Sequence, residues 1–528
     1  MIANKKSLLA LSVASALTLS GCFSDDDNNV TITPPEPTDP VVVAPDAPAA
    51  LPLVISASVV DKESTNVLPA TIKFFENGEL SQNIVDVNGD VLTEVTAEDG
   101  TVVFAKKDGA DISEVTVIVT ADNYLSKSFV LGLDASEGVK AVNTQLPLLS
   151  LNAGGIVSDV KTALVEGGTT AEPITAGKAD GKAAAGANIK AGTQLLNAAG
   201  EPVSGSISLN VAGADASSNT AAAIIPEGLN GAGGETVAVP AGIATVIMAD
   251  ADGNKVKSFG GDSITVSLSI PASTMLNGEK IKTNDTLPYS SYNEDTGVWT
   301  EEDSVVTIGE YNADADTFNA TLETKHLSSF VPVVRATPCT SDVVVNFTGE
   351  AVPASGLFLR AASSMLSFAL PVSGGVTSLQ IASGDNAAQY GFTADSKADV
   401  EILDSNGSVW GSANNASLCG SFDIALANAN PTVEETFTLT AACSNDSAQT
   451  IDMSNAFVTY ALTNKAPLVA TSSGGGEFAL ANLVQGATYS INVVPRVEGA
   501  SPQTFEITAD GNGESGNVPV TCEVTTGA

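Results

Sequence analysis

Five cysteines, a single histidine and a few acid-rich turns are the residues of this chain whose types and spacing could do chemistry. Cys339 and Cys419 are separated by 80 positions, and Cys443 and Cys522 by 79. Four cysteines allow three pairings. The near-equal gaps favour one bridge in each of two similar units, Cys339–Cys419 and Cys443–Cys522. Apart from Arg335, no basic neighbour in the sequence is placed to lower a thiol pKa, so none of the four reads as a nucleophile. His326 is the only histidine. That argues against a histidine-dependent triad and against a zinc site, which usually draws on several His or Cys. It reads as a structural histidine bonded near Ser328.

Oxygen ligands recur at alternate positions in Asp86-Val87-Asn88-Gly89-Asp90, Asp250-Ala251-Asp252-Gly253-Asn254 and Asn312-Ala313-Asp314-Ala315-Asp316. Ca²⁺ takes about six to eight oxygens, often from such loops, so Asp86, Asn88, Asp90, Asp250 and Asp252 are the Ca²⁺ candidates. None of the loops has the EF-hand length or its terminal Glu, and Asp-Gly and Asn-Gly are also what hairpin turns require. No other cofactor is expected. Gly177-Lys178-Ala179-Asp180-Gly181-Lys182-Ala183 is one residue short of a phosphate loop and has Ala where a hydroxyl would hold Mg²⁺. Ser158-Asp159-Val160-Lys161 lacks the companion motifs of a Ser-x-x-Lys enzyme. Among 61 acidic residues, pairs such as Glu301 with Asp303 single out no glycosidase.

The fifth cysteine, Cys22, ends a different pattern. Lys5 and Lys6 precede an apolar run from Leu8 to Leu17, then Leu19-Ser20-Gly21-Cys22. A positive head, a short apolar stretch and small residues make residues 1–21 a secretory signal peptide. The run is shorter than the ~20 residues that span a bilayer. The last four residues resemble the lipobox of bacterial lipoproteins. The resemblance implies that Cys22 is diacylated on sulfur (a palmitate-type anchor), becomes the mature N-terminus and is usually acylated there as well. Each buried acyl CH₂ contributes about 0.8 kcal/mol, so two or three chains hold firmly. Phe23 stands where Asp would imply inner-membrane retention, so the resemblance points to the outer membrane; periplasmic and cell-surface faces both stay open.

Net charge is −39 with only 16% charged residues, which argues against nucleic acid and against anionic lipid as partners. Hydrophobic residues make up 43%, enough to build cores, and 528 residues correspond to about three to four domains. Aromatics are 5%, with two Trp, which weakens a carbohydrate-binding reading.

The elements that must position these residues read as strands. Residues 22–50 form the lipidated Cys and a disordered tether, acidic at Asp25-Asp26-Asp27 and proline-rich from Pro34. Residues 51–151 alternate, as in Val54-Ile55-Ser56-Ala57-Ser58-Val59-Val60, with hairpin turns expected at Val87–Asp90 and Glu98–Thr101. Thr96–Phe104 and Val119–Ser128 resemble the carboxypeptidase-regulatory-like, transthyretin-type sandwiches, with Asn123 where that family commonly has Gly. Residues 152–335 form a β-rich module with a loop insertion; up to about Lys190 it is a long loop or a loose strand pair. Its Ile189–Thr193, Gly200–Leu209, Val237–Gly242, Leu287–Glu302 and His326–Phe330 segments resemble a β-rich extracellular module of bacterial lipoproteins and of some animal matrix and membrane proteins, with Asn293 for the usual Asp and Phe330 for the usual Trp. Trp299 and Tyr292 flank the turn Asp295-Thr296-Gly297 and read as hairpin packing.

Residues 336–428 and 429–528 read as a diverged repeat. Each has a glycine pair (Gly374-Gly375, Gly474-Gly475) and a strand ending toward a Tyr, Gly384 to Tyr390 and Gly486 to Tyr489. Gly476–Tyr489 again resembles the carboxypeptidase-regulatory-like family. The sequence therefore predicts an all-β chain of tandem Ig-like/transthyretin-like β-sandwich domains after a lipoprotein signal peptide and flexible linker. The function expected is that of a non-catalytic structural, adhesive or assembly component of the cell envelope, with an envelope protein or extracellular ligand as partner. The alternatives are a ligand-binding lipoprotein of an outer-membrane system, with carbohydrate as one ligand class, and a carboxylate hydrolase.

Overall fold

The computed structural model describes residues 41–50, 52–134 and 139–525, and these are almost wholly β. The signal segment, Cys22 and Phe23 lie outside the described residues. The one helix among those described is Asn219–Ile224, with the Ser218 hydroxyl accepting from Thr220 N–H at its start.

Three sandwiches share one topology. In the first, the opening strand Val54–Asp61 runs parallel to the closing strand Ala141–Leu148 and antiparallel to Thr101–Lys106. Its second sheet is built on Ala70–Glu76 and Glu114–Thr120, with Lys127–Gly132 at the edge. The second sandwich repeats the plan with Val343–Gly349 parallel to Gly420–Leu426. The third does so with Thr432–Cys443 parallel to Glu514–Val520. Parallel strands need a long connection, and here the whole sandwich serves as that connection. The repeat expected over residues 336–528 thus extends to the first segment as well. In each unit the alternating residues of both sheets meet in one apolar core, around Phe74 and Phe104 in the first, Trp410 in the second and Phe437 and Phe478 in the third.

Residues 156–336 form a different object, an eleven-stranded sheet. Its end strands, Ile156–Val165 and Ile174–Asp180, meet through the Asp159 carboxylate, which accepts from Gly177 N–H at 2.8 Å. The Ala- and Gly-rich stretch up to Lys190 is therefore a strand pair, Ile174–Asp180 against Ala183–Ile189, with Gly181 at φ +55 in the turn. Small side chains allow close approach there: a Cβ on Gly213 would stand 2.7 Å from that of Ala185.

Three local expectations change. Residues 41–50, read as tether, instead form a strand, Val41–Val43, followed by a strap; a β-branched run of three valines outweighs the surrounding prolines. Glu98–Thr101 is not a hairpin: Glu94–Ala97 and Thr101–Lys106 belong to different sheets, so the turn switches sheets. Gly384–Tyr390 is a loop in which Tyr390 is 54% exposed, whereas Tyr489 is a buried strand residue.

The units also pack on one another. Phe358 of the second sandwich enters the core of the third. Phe457 of the third packs on Val54, Val85 and Ala105 of the first. Leu149 of the first joins Ile224 of the helix and Val331 and Val333 of the central sheet. Asn219, the first residue of the helix, donates to Asp399 of the second sandwich at 3.2 Å.

Candidate functional site

The predicted cysteines are joined as expected. Cys339–Cys419 and Cys443–Cys522 are disulfides with Cα separations of 5.5 and 5.4 Å. Each ties the opening strand of its sandwich to the closing one, but at opposite ends. The first bridge precedes both parallel strands; the second joins their far ends, from Cys443, the last residue of Thr432–Cys443, to Cys522, just after Glu514–Val520. Equal spacing therefore reflects equal unit length and not an equivalent position in the repeat.

The Ca²⁺ candidates are turn residues whose oxygens serve the turn. Asp86 Oδ1 accepts from the N–H groups of Asn88 and Asp90, at 2.8 and 2.9 Å. Asp250 Oδ1 does the same for Asp252 and Asn254 at 3.0 and 2.8 Å, and the Asn254 side-chain amide holds that carboxyl below its ordinary value. The same five-residue turn recurs at Asn197–Glu201 and Asp404–Ser408. Asn312 Oδ1 likewise accepts from Asp314 and Ala315. Such side chains replace a backbone partner in tight turns. Among the described residues no group of three or more His, Cys, Asp or Glu converges on a common point.

His326 Nε2 lies 3.0 Å from Glu302 Oε1, which also accepts from the Ser291 hydroxyl at 2.5 Å. The expected partner, Ser328, instead donates to the carbonyl of Tyr292. Trp410 is buried at 6% exposure, with Nε1–H donated to Asp404 Oδ2 at 3.3 Å. Trp299 packs with its ring centroid 5.1 Å from that of Tyr292, its cross-strand partner, and donates Nε1–H to the carbonyl of Glu227 at 3.1 Å. Both tryptophans are engaged in packing and hydrogen bonding. A shallow depression of about 330 Å³ lies between Asp303 and Glu323.

What the tertiary structure concentrates is polar chemistry at the joints. The chain has three arginines, Arg335, Arg360 and Arg496. Arg360, in the second sandwich, donates to the carbonyl of Lys62 at 3.2 Å and to Gln145 Oε1 at 2.6 Å, both in the first. Arg496, in the third, donates to Val87 O, Ala49 O and Asn455 O at 3.0, 2.9 and 3.1 Å. Lys465, also in the third, reaches Ser64 O at 3.0 Å and Thr65 Oγ1 at 2.8 Å. Charge-assisted hydrogen bonds to otherwise orphaned carbonyls are the stronger kind. Burial, with the nearby Lys127 and Arg360 charges, pushes Lys62 down to about 8.

A second joint links the first sandwich to the central sheet. Glu227 N–H donates to Ser128 O, and Val130 N–H donates to Glu227 Oε2 at 3.0 Å, so one residue covers the edge strand Lys127–Gly132. Burial pushes the Glu227 carboxyl up and the Lys127 ammonium down, each partly offset by the other's charge. Lys127 Nζ stands 5.1 Å over the Phe129 ring. None of these joint residues carries a local sequence signal; only the scarcity of arginine in the composition marks Arg360 and Arg496.

No known family profile matches the chain, and no curated protein matches it. Among solved structures it is similar to the TIE protein of Bacillus anthracis, at 11% identity over 71% of this chain, with a TM-score of 0.14; the chain spans 59% of that protein's length. It is also similar to the minor pilin of Streptococcus agalactiae, at 8% identity over 36% of this chain and 98% of that one, with a TM-score of 0.16. Two B repeat units of the collagen-binding protein of Staphylococcus aureus match at 10% identity over 90% of this chain and 100% of theirs, with a TM-score of 0.14. Likeness at that level leaves function to the chain's own residues.

Proposed function

We propose that the chain is a lipid-anchored protein of the bacterial outer envelope that works as a non-catalytic structural or adhesive component, with residues 51–151, 152–335, 336–428 and 429–528 as its units. The carrying observation is the use made of its scarce cations: Arg360, Lys465 and Arg496 all fasten C-terminal sandwiches to the first one. A set of modules bonded to one another holds a surface in fixed geometry, which is what a spacer or adhesin needs and what a catalyst does not require. The Leu19-Ser20-Gly21-Cys22 pattern supplies the anchor, with Cys22 acylated. The partner is then an envelope protein or an extracellular ligand.

Fractionation of cells expressing wild type and Cys22→Ser tests the anchor. The variant is expected in the soluble fraction; a variant that stays with the membranes overturns the reading. Protease shaving of intact cells then assigns the face: digestion places the body outside, protection places it in the periplasm.

A further inference from the structure

Residues 41–50 lie along the third sandwich before the chain enters the first. Val41–Val43 pairs antiparallel with Glu523–Thr525 at the other end of the chain, in the register Val42 opposite Val524. Val42 and Ala44 pack against the third sandwich's core. Pro48 is buried, its carbonyl accepting from Asn455 Nδ2 at 3.0 Å, and Ala49 O accepts from Arg496. The strap is thus fixed at two points, a ladder near residue 42 and a pair of carbonyls at 48 and 49.

The ladder end has an unusual root. Strand Glu523–Thr525 begins at the residue after Cys522, whose bridge to Cys443 holds it against the last residue of the opening strand. Asn445 Nδ2 donates to Cys522 O at 3.0 Å and Ser444 N–H to Val520 O at 2.8 Å, so the strand emerges from a fixed point. A two-stranded ribbon of three residue pairs has little stability of its own. Its persistence depends on both strands being held at their roots.

We propose that the Cys443–Cys522 bridge is the latch of this strap: with the bridge formed the ladder closes, and without it Val41–Val43 comes away while the Arg496 end stays. The consequence for placement rests on the lipid anchor proposed above. Between Cys22 and the ladder lie residues 23–40, a reach of at most roughly 60 Å at about 3.5 Å per residue. With the ladder open, the next fixed point is Pro48, and residues 23–47 reach roughly 90 Å. The bridge therefore sets how far the body can stand from its anchor.

Amide hydrogen exchange on the mature chain tests the latch without reference to lipid. Three forms are compared with wild type: Cys443→Ala/Cys522→Ala, a chain ending at Cys522, and Cys339→Ala/Cys419→Ala as control. The first two are expected to exchange Val41–Val43 about tenfold or more faster, the control at the wild-type rate. Wild-type protection at Val41–Val43 in the chain ending at Cys522 overturns the ladder. The same protection in the bridge-free chain overturns the latch. Should the bridge-free chain also lose protection in Glu477–Val484, wild type titrated with a dithiol reductant decides the order. Loss at Val41–Val43 before Glu477–Val484 supports the latch, and simultaneous or reversed loss overturns it. Failure of the Cys22→Ser fractionation would leave these exchange rates untouched.

Discussion

Arg496 Nε donates to the carbonyl of Val87 at 3.0 Å, across 409 positions of the chain. The two residues belong to the third and first sandwiches, and the same guanidinium holds the strap at Ala49. Arg496 sits at φ +57, a region that side-chain-bearing residues rarely occupy. The backbone strain persists because three carbonyl acceptors over-determine it.

Removing those bonds gives a graded outcome. Arg496→Ala is expected to destabilise the joint by about 2 kcal/mol, because the charge-assisted bonds are lost and the strained φ remains. Arg496→Gly loses the same bonds but releases the strain, so it is expected to be milder by up to about 1 kcal/mol. Denaturant unfolding of the two variants checks the order; equal midpoints for wild type and both variants would sink the role.

Two glycines in the same kind of turn separate backbone conformation from packing. Gly89 and Gly407 have φ of +93 and +85. A Cβ on Gly89 meets nothing within 4 Å, whereas one on Gly407 would stand 2.2 Å from Thr65 Oγ1. Gly89→Ala is expected to cost about 1 kcal/mol, and Gly407→Ala several times that, since Thr65 also holds Lys465. Thermal unfolding of the pair is the measurement, and similar losses would refute the packing of the first and second sandwiches at Thr65.

Alkali should stabilise the junction before it harms it. Lys62 titrates near 8 in the folded chain, against 10.5 as its ordinary value, because burial and the Lys127 and Arg360 charges disfavour the ammonium, with Glu401 and Glu63 partly offsetting them. Between those values the unfolded chain binds the extra proton, so stability rises as pH rises from about 8 toward 10. Above that range Tyr124, raised to about 12 by burial and its bond to Asp61, works the other way. Lys62→Met is expected to be more stable than wild type at pH 7 and to show a flatter profile from pH 8 to 10. Urea titrations at successive pH values decide it: an unchanged slope in the variant would assign the effect elsewhere.

Trp299→Phe keeps an aromatic partner for Tyr292 but removes the donor to Glu227 O. The expected loss is about 1 kcal/mol, confined to the joint between the first sandwich and the central sheet. Exchange at Lys127–Gly132 should rise while that at Glu514–Val520 stays constant; a uniform rise would point to global destabilisation instead.

Much of the fold was legible locally. Alternation in Val54–Val60 and β-branching in Glu114–Thr120 each led to a strand of the first core. The 80 and 79 gaps led to the observed bridges. The acid-rich turns were seen, but their carboxylates bind their own backbone N–H groups, a choice made by local geometry that composition cannot express. Val41–Val43 was missed because its partner strand lies at the far end of the chain. Glu98–Thr101 was misplaced because a turn joining two sheets uses the same residues as a turn within one.

By itself the sequence determined strand period, turn chemistry and the pairing of cysteines in units of equal length. Only the tertiary structure decided that the sandwiches are bonded into joints, that two of three arginines serve those joints, and that residues 41–50 fold back as a strap. Those contacts reach backbone carbonyls, which every residue carries, so no side-chain pattern announces the acceptor; its availability is settled only when the strands around it have paired and left it without a partner.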